Sequence, residues 1–150
     1  MEQQVQLAKR RLEDLIAFFG LNVAVEAQAT DEGVTLEVLS DSTGRLIGRH
    51  GETLRALQHL VSMMMREAAP GVRFTVDVAG YRKAQADKLA EMAQTAAAKA
   101  VETGEEVVLR PMNPAERRLV HMALHDSQEV ETESRGEDPH RRIVIKKRSS

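Results

Sequence analysis

Residues 45–57 read RLIGRHGETLRAL. Two glycines, Gly48 and Gly51, bracket Arg49 and His50, and an amphipathic helical pattern begins directly after them. Glycine lets the backbone turn sharply or come close to another group. Just ahead of a helix, the pair leaves free amides and the positive end of the helix dipole facing whatever lies over the loop. Arg45, Arg49, His50 and Arg55 add cationic donors, while Leu46, Ile47 and Leu54 supply an apolar floor. This is what a phosphate-gripping loop needs. A bare GxxG also serves as a tight turn between packed elements, so its neighbourhood has to decide.

Upstream, Val5, Ala8, Leu12, Leu15, Ile16 and Phe19 recur at helical spacing over residues 3–19, and Gly20 ends the pattern as a C-cap would. Leu21, Val23, Val25 and Ala27 then alternate, as do Val34, Leu36 and Val38 after the turn TDEG, which predicts a hairpin with one buried face. Residues 42–47 suffice for one helical turn. Downstream, residues 52–67 form a helix with Leu54, Leu57, Val61, Met64 and Ala68 on one face and Arg55, His59, Ser62 and Arg66 on another. Pro70-Gly71 ends it, and Val72, Phe74, Val76 and Val78 alternate as a third strand. The order α-β-β-(α)-α-β makes a sheet with helices on one face and a small core by residue 79.

Gly80 opens a second region with no long linker, predicting domains 1–79 and 80–150. Residues 81–104 form an Ala-rich helix packing through Leu89, Met92, Ala93, Ala96 and Ala100 and stopped by Gly104. EVVLR is a short strand. NPAERRLVHMALHD starts with Asn113 at the N-cap, Pro114 at the first helical position and Glu116 three residues after the cap. EVETES and HRRIVIKK, joined by RGEDP, close as a hairpin. The fold class is α+β: two small domains, each a three-stranded sheet packed with helices, the second ordered α-β-α-β-β.

Two alternating strands, LIGRHGETLRAL, a helix and a third strand together resemble a KH domain of the second, bacterial topology. In that family the GxxG loop clamps the backbone of about four single-stranded nucleotides. The resemblance implies that Arg45, Ile47, Gly48, Arg49, His50, Gly51, Leu54 and Arg55 bind RNA, with Ile47 and Leu54 beneath the bases.

In the second region Arg117 and His121 stand four apart and so share a helix face, His125 extends the stripe, and Leu119, Met122 and Ala123 lie on the packing side. Alone, RxxxH is most often a solvated face. The longer pattern MNPAERRLVHMAL followed by VETESRGEDPHRRIVI resembles the single-stranded nucleic-acid-binding domain named for Arg-x-x-x-His. This implies backbone contacts from Arg117, Arg118 and His121, joined by the basic end at Arg141, Arg142, Lys146, Lys147 and Arg148. A KH domain followed by this domain resembles the Jag (SpoIIIJ-associated) family of bacterial RNA-binding proteins, and the likeness runs from about residue 3 to 147. Many members begin with a further N-terminal domain and a charged linker, which these residues do not match. A phosphate met by His50 or His121 predicts affinity rising below about pH 6.5.

Composition limits the alternatives. Net charge is −2, with 8 Lys and Arg against 11 Asp and Glu in residues 1–80 and 13 against 12 in 81–150, so any basic surface is a local patch. Three Phe, one Tyr and no Trp leave amides, charge and aliphatic contacts, rather than stacking platforms, to hold a strand. No cysteine is present, which excludes disulfides and thiolate metal sites. His121 and His125 have a zinc-compatible spacing, but Met122 stands where a zinc protease carries Glu, and no third ligand is apparent. Asp126, Glu129, Glu131 and Glu133 read as a solvated face or as partners for Arg141 and Lys147 across the hairpin. The expectation is a cytoplasmic, non-enzymatic protein without cofactor, metal or membrane contact. It binds single-stranded RNA, with single-stranded DNA open because nothing identifies a reader of the 2′-hydroxyl. A homodimer or a small KH-protein partner is the alternative, for which the run Met63-Met64-Met65 is the candidate surface.

Overall fold

The fold is that of a computed structural model, whose described residues are 1–149. The chain divides into two compact units, Met1–Arg82 and a second that starts at Lys83. Both are α+β, each with a three-stranded sheet.

In the first unit, α1 (Glu2–Ala17) buries Val5, Ala8, Leu12 and Ile16. The strands β1 (Ala24–Thr30) and β2 (Gly33–Leu39) pair antiparallel across Asp31 and Glu32, with Val25 opposite Val38 and Ala29 opposite Val34. The strand β3 (Phe74–Val78) lies parallel to β2, so the order is β1-β2-β3. A parallel pair needs a crossover, here supplied by α2 (Thr43–Ile47), a single 3₁₀ turn over Arg49–Gly51 and α3 (Glu52–Met65). Val34, Leu36 and Val38 alternate with half-buried neighbours along β2, as do Phe74, Val76 and Val78 along β3, and Leu54, Leu57, Val61 and Met65 of α3 close over them. Truncating the wholly buried Leu36 to alanine leaves a cavity costing about 2–5 kcal/mol. The outer edge of β3 is covered by side chains: the Gln58 amide donates to the Phe74 carbonyl at 2.6 Å and accepts from the Val76 amide at 2.7 Å, and Arg82 donates to the Val76 carbonyl at 2.9 Å. An edge blunted in this way does not template further strands.

Two expectations fail here. Phe19 does not join the apolar stripe of α1: the helix ends at Ala17, and the turn closed by Gly20 at φ +77° carries the chain off the helix axis. Phe18 and Phe19 are left 87% and 62% exposed, edge to face at 6.1 Å. On α3 the deepest positions are Met65 and, just beyond the helix, Ala69, while Met64 and Ala68 pack against the core from its margin, partly buried; the buried residue after Val61 comes four positions on, and Met63 is half exposed.

The second unit begins within α4 (Tyr81–Thr103), whose Leu89, Ala93, Ala96, Ala97 and Ala100 form a narrow buried stripe. The sheet holds β4 (Val107–Val108), β5 (Val130–Arg135) and β6 (Arg142–Lys147), all antiparallel in the order β4-β6-β5. The stripe packs into one core with Leu109, Met112, Val120, Leu124, Val130, Ile143 and Ile145. The helix α5 (Pro114–Leu124) has the expected capping box: Asn113 Oδ1 accepts from the Glu116 amide at 2.9 Å and Glu116 Oε2 accepts from the Asn113 amide at 3.1 Å. Its buried positions are Glu116, Val120 and Leu124; Met122, expected to pack, is 61% exposed.

On the outer sheet face Glu133 meets Lys146 at 2.8 Å and Arg135 at 3.0 Å, and Arg135 reaches Glu106 at 3.0 Å. The cation that Glu133 finds on β6 is therefore Lys146, not Arg141 or Lys147. Lys147 stands opposite Val130, whose side is buried, while Arg141 turns to the Ser134 hydroxyl and the Gly136 carbonyl, both at 2.7 Å.

Candidate nucleic-acid interface

The loop after α2 is built from left-handed backbone. Gly48 has φ +73°, His50 +54° and Gly51 +77°. A Cβ on Gly48 would collide with the Thr53 hydroxyl and stand 2.9 Å from the Thr53 amide, inside the first turn of α3. One on Gly51 would press on the Tyr81 ring at 3.1 Å. The glycines are thus demanded first by the fold, which lays the loop flat on the start of a helix. His50 holds a conformation that L residues with a Cβ adopt at a cost of about 1–3 kcal/mol, a kind of strain that gathers at ligand clamps.

No side chain caps the N-terminus of α3, and Arg45, Arg49 and His50 are exposed around it. Arg55 is half buried and donates to the His50 carbonyl at 3.4 Å. The apolar floor is narrower than expected. Leu46 and Leu54 are 3% and 2% exposed and belong to the core, because both point into the space between α3 and the sheet. Leu54 supports the loop from beneath and offers no surface; Ile47 alone of the three is partly open.

A groove of about 290 Å³ lies between the second half of α3 and β3, lined by Gln58, Ser62, Arg66 and Arg73 among others. Both arginines are exposed and make no ion pair among the described residues. With 14 residues, α3 is about 21 Å long, so cations stand at both of its ends. Arg66 was legible on the outer face of the helix. The sole sequence signal for Arg73 is its place one residue ahead of the buried Phe74.

In the second unit α5 and β5 bring their polar residues together. Arg117 donates to the Met112 carbonyl at 2.6 Å and pairs with Asp138 at 3.0 Å; its side chain is 11% exposed against 61% for Asp138. Contrary to expectation, it is not a free cation, because the β5–β6 connection brings a carboxylate onto it. His121 Nδ1 lies 2.5 Å from the Thr132 hydroxyl. Burial, and next the Arg117 guanidinium, hold the pKa of His121 below the usual histidine range. Arg118 is exposed and unpaired among the described residues. The basic end is largely engaged through Lys146 with Glu133, Arg141 with Ser134 and Arg148 with the Val130 carbonyl at 2.9 Å.

Comparison with known families assigns both halves. Residues 6–78 match the model of the KhpA/KhpB KH domain, and residues 87–147 match that of the R-three-H (Arg-x-x-x-His) domain. Curated relatives cover the two together. RNA-binding protein KhpB of Clostridium symbiosum is 36% identical over 83% of this chain and 57% of its own length. The KhpB of Lactiplantibacillus plantarum is 35% identical over 84% of this chain and 39% of its own, and that of Bacillus subtilis 28% identical over 94% and 69%. The chain spans about half the length of the first two. Among the described residues no helix is long and apolar enough to cross a membrane.

Proposed function

We propose, because this chain belongs to the KhpB/Jag family and joins a KH domain to an Arg-x-x-x-His domain, that it is a non-enzymatic protein that binds single-stranded RNA. The observation that carries the reading is the loop at Gly48–Gly51. Left-handed backbone there leaves an uncapped helix N-terminus under exposed Arg45, Arg49 and His50, a ready anion site. The names of the relatives above support RNA as the source of that anion.

The first domain, residues 1–79, holds a short single strand over the loop, with Ile47 against its bases and Arg66 and Arg73 at the groove beside the far end of α3. The second, residues 80–150, takes neighbouring phosphates through Arg118 and His121, while Arg117 frames that site from behind its ion pair. Two weak clamps on one strand gain through effective concentration, so the intact chain binds more tightly than either half. Log affinity falls with log salt at roughly −0.7 per phosphate neutralised on a single strand.

The test is fluorescence anisotropy on a labelled single strand of about 12 nucleotides, long enough for the roughly four that a KH clamp holds and the stretch beside them. Arg49→Asp with His50→Asp sets two negative charges where the phosphate sits, and Asp tolerates left-handed backbone. It should cost at least about tenfold in affinity while circular dichroism is unchanged. Unaltered binding would sink the reading of the loop. The same strand as DNA separates the two nucleic acids. The second reading, association with another copy or a small KH protein, draws on Leu60 and Met63, 40% and 51% exposed on α3. A mass independent of concentration, without nucleic acid, removes self-association.

A further inference from the structure

A threonine hydroxyl has one proton to place. That of Thr132, on β5, lies 2.5 Å from Nδ1 of His121 and has no other hydrogen-bond partner among the described residues. Neutral imidazole carries a single proton, so a proton donated into Nδ1 requires the ring's own proton to sit on Nε2. The surroundings favour the neutral ring. One turn earlier on α5 stands Arg117, whose cation Asp138 of the β5–β6 connection holds, and one turn later is the exposed His125. On β5 the same face carries Thr132 and Ser134, and the facing positions of β6 are the apolar Ile145 and Ile143. No carboxylate bonds to His121, and burial together with Arg117 disfavours its charged form.

We propose that Thr132 is a positioning residue for His121: its hydroxyl fixes the neutral ring with the proton on Nε2, making that N–H a donor to a nucleic-acid phosphate without a positive charge. The role at the phosphate rests on the function proposed above; the tautomer does not. The opposite tautomer would turn a lone pair toward the phosphate oxygens and repel them. The contact therefore works at neutral pH, where a charge-dependent one would be weak.

Long-range nitrogen–proton NMR correlations of the His121 ring, recorded on the full free chain above about pH 7, should show Nε2 protonated and Nδ1 bare. A proton on Nδ1, or equal averaging of the two forms, overturns the proposal whatever the RNA does. Thr132→Val keeps the shape and removes the hydroxyl; it should lose the tautomer signature and about three- to tenfold in RNA affinity, the worth of one hydrogen bond. Thr132→Ser should restore both. Loss in both variants, or in neither, overturns the positioning role. The ratio of wild-type to His121→Gln affinity should also stay level from about pH 8 to 6.5, and a steady rise of that ratio across the range would show that charge on His121, not its tautomer, makes the contact. If the wild type binds no strand, the function proposed above fails and takes the phosphate role with it, while the free-protein spectrum still decides the tautomer.

Discussion

Arg49 and Arg117 stand in motifs of similar weight, yet the fold treats them oppositely. Arg49 is exposed at the rim of a left-handed loop, with no ion pair among the described residues. Arg117 is nearly covered, bound to a main-chain carbonyl and to Asp138. A motif specifies where a side chain starts. Whether its charge is already satisfied depends on what the rest of the chain brings to it. The first unit holds its cations ready over bare amides, whereas the second ties its arginine into structure and offers Arg118 and His121 at the surface.

The largest effect should come from Gly48→Ala, which combines a positive φ with a clash against the start of α3. We expect a loss of about 2–4 kcal/mol in the stability of the first unit, read by denaturant unfolding. Gly44→Ala, a few residues earlier in α2 with nothing within 4 Å, should instead gain about 0.5–1 kcal/mol. Equal effects would mean that the loop does not need its left-handed backbone.

Next is the contrast between adjacent arginines. Arg117→Ala removes the hydrogen bond to the Met112 carbonyl and the pairing with solvent-exposed Asp138 and should cost about 1–3 kcal/mol of second-unit stability, most of it from the carbonyl left without its donor. Arg118→Ala should leave the melting curve in place and lower RNA affinity by about two- to fivefold. The reverse pattern would show that Arg117 is the free cation after all.

The smallest effect concerns pH. The pKa of His121 is lower in the folded chain than unfolded, so on acidification the unfolded chain takes up the proton first. Stability of the second unit should therefore fall as pH drops below about 6.5, the unfolded value, and His121→Gln should flatten that slope. Stability that rises on acidification would refute a neutral, partly buried ring.

Most of the fold was legible because its signals are short-range. Asn113, Pro114 and Glu116 announced a capping box that forms as read, and the alternation of Val34, Leu36 and Val38 gave the central strand its buried face. The errors cluster where a residue sits at the margin of such a pattern. Phe19 had the spacing for the stripe of α1, but a turn at Gly20 removed it, and Met64 and Met65 differ by a rotation that periodicity alone does not resolve. Leu54 shows the same difficulty at the candidate site. A helix residue next to the loop can face the ligand or the core, and only the packing of α3 on the sheet chose the core.

By itself the sequence determined the order of the elements, the caps that start and stop them and the glycine-bracketed loop between two helices. These follow from backbone preferences and from contacts between residues a few positions apart. Only the tertiary structure decided which charges remain available and which are engaged. Asp138 reaches Arg117 across 21 positions and Thr132 reaches His121 across 11, and the β5–β6 hairpin closing on α5 makes each pair. The free energy of a charged or titratable group depends on what surrounds it in space, and that is set when the hairpin packs.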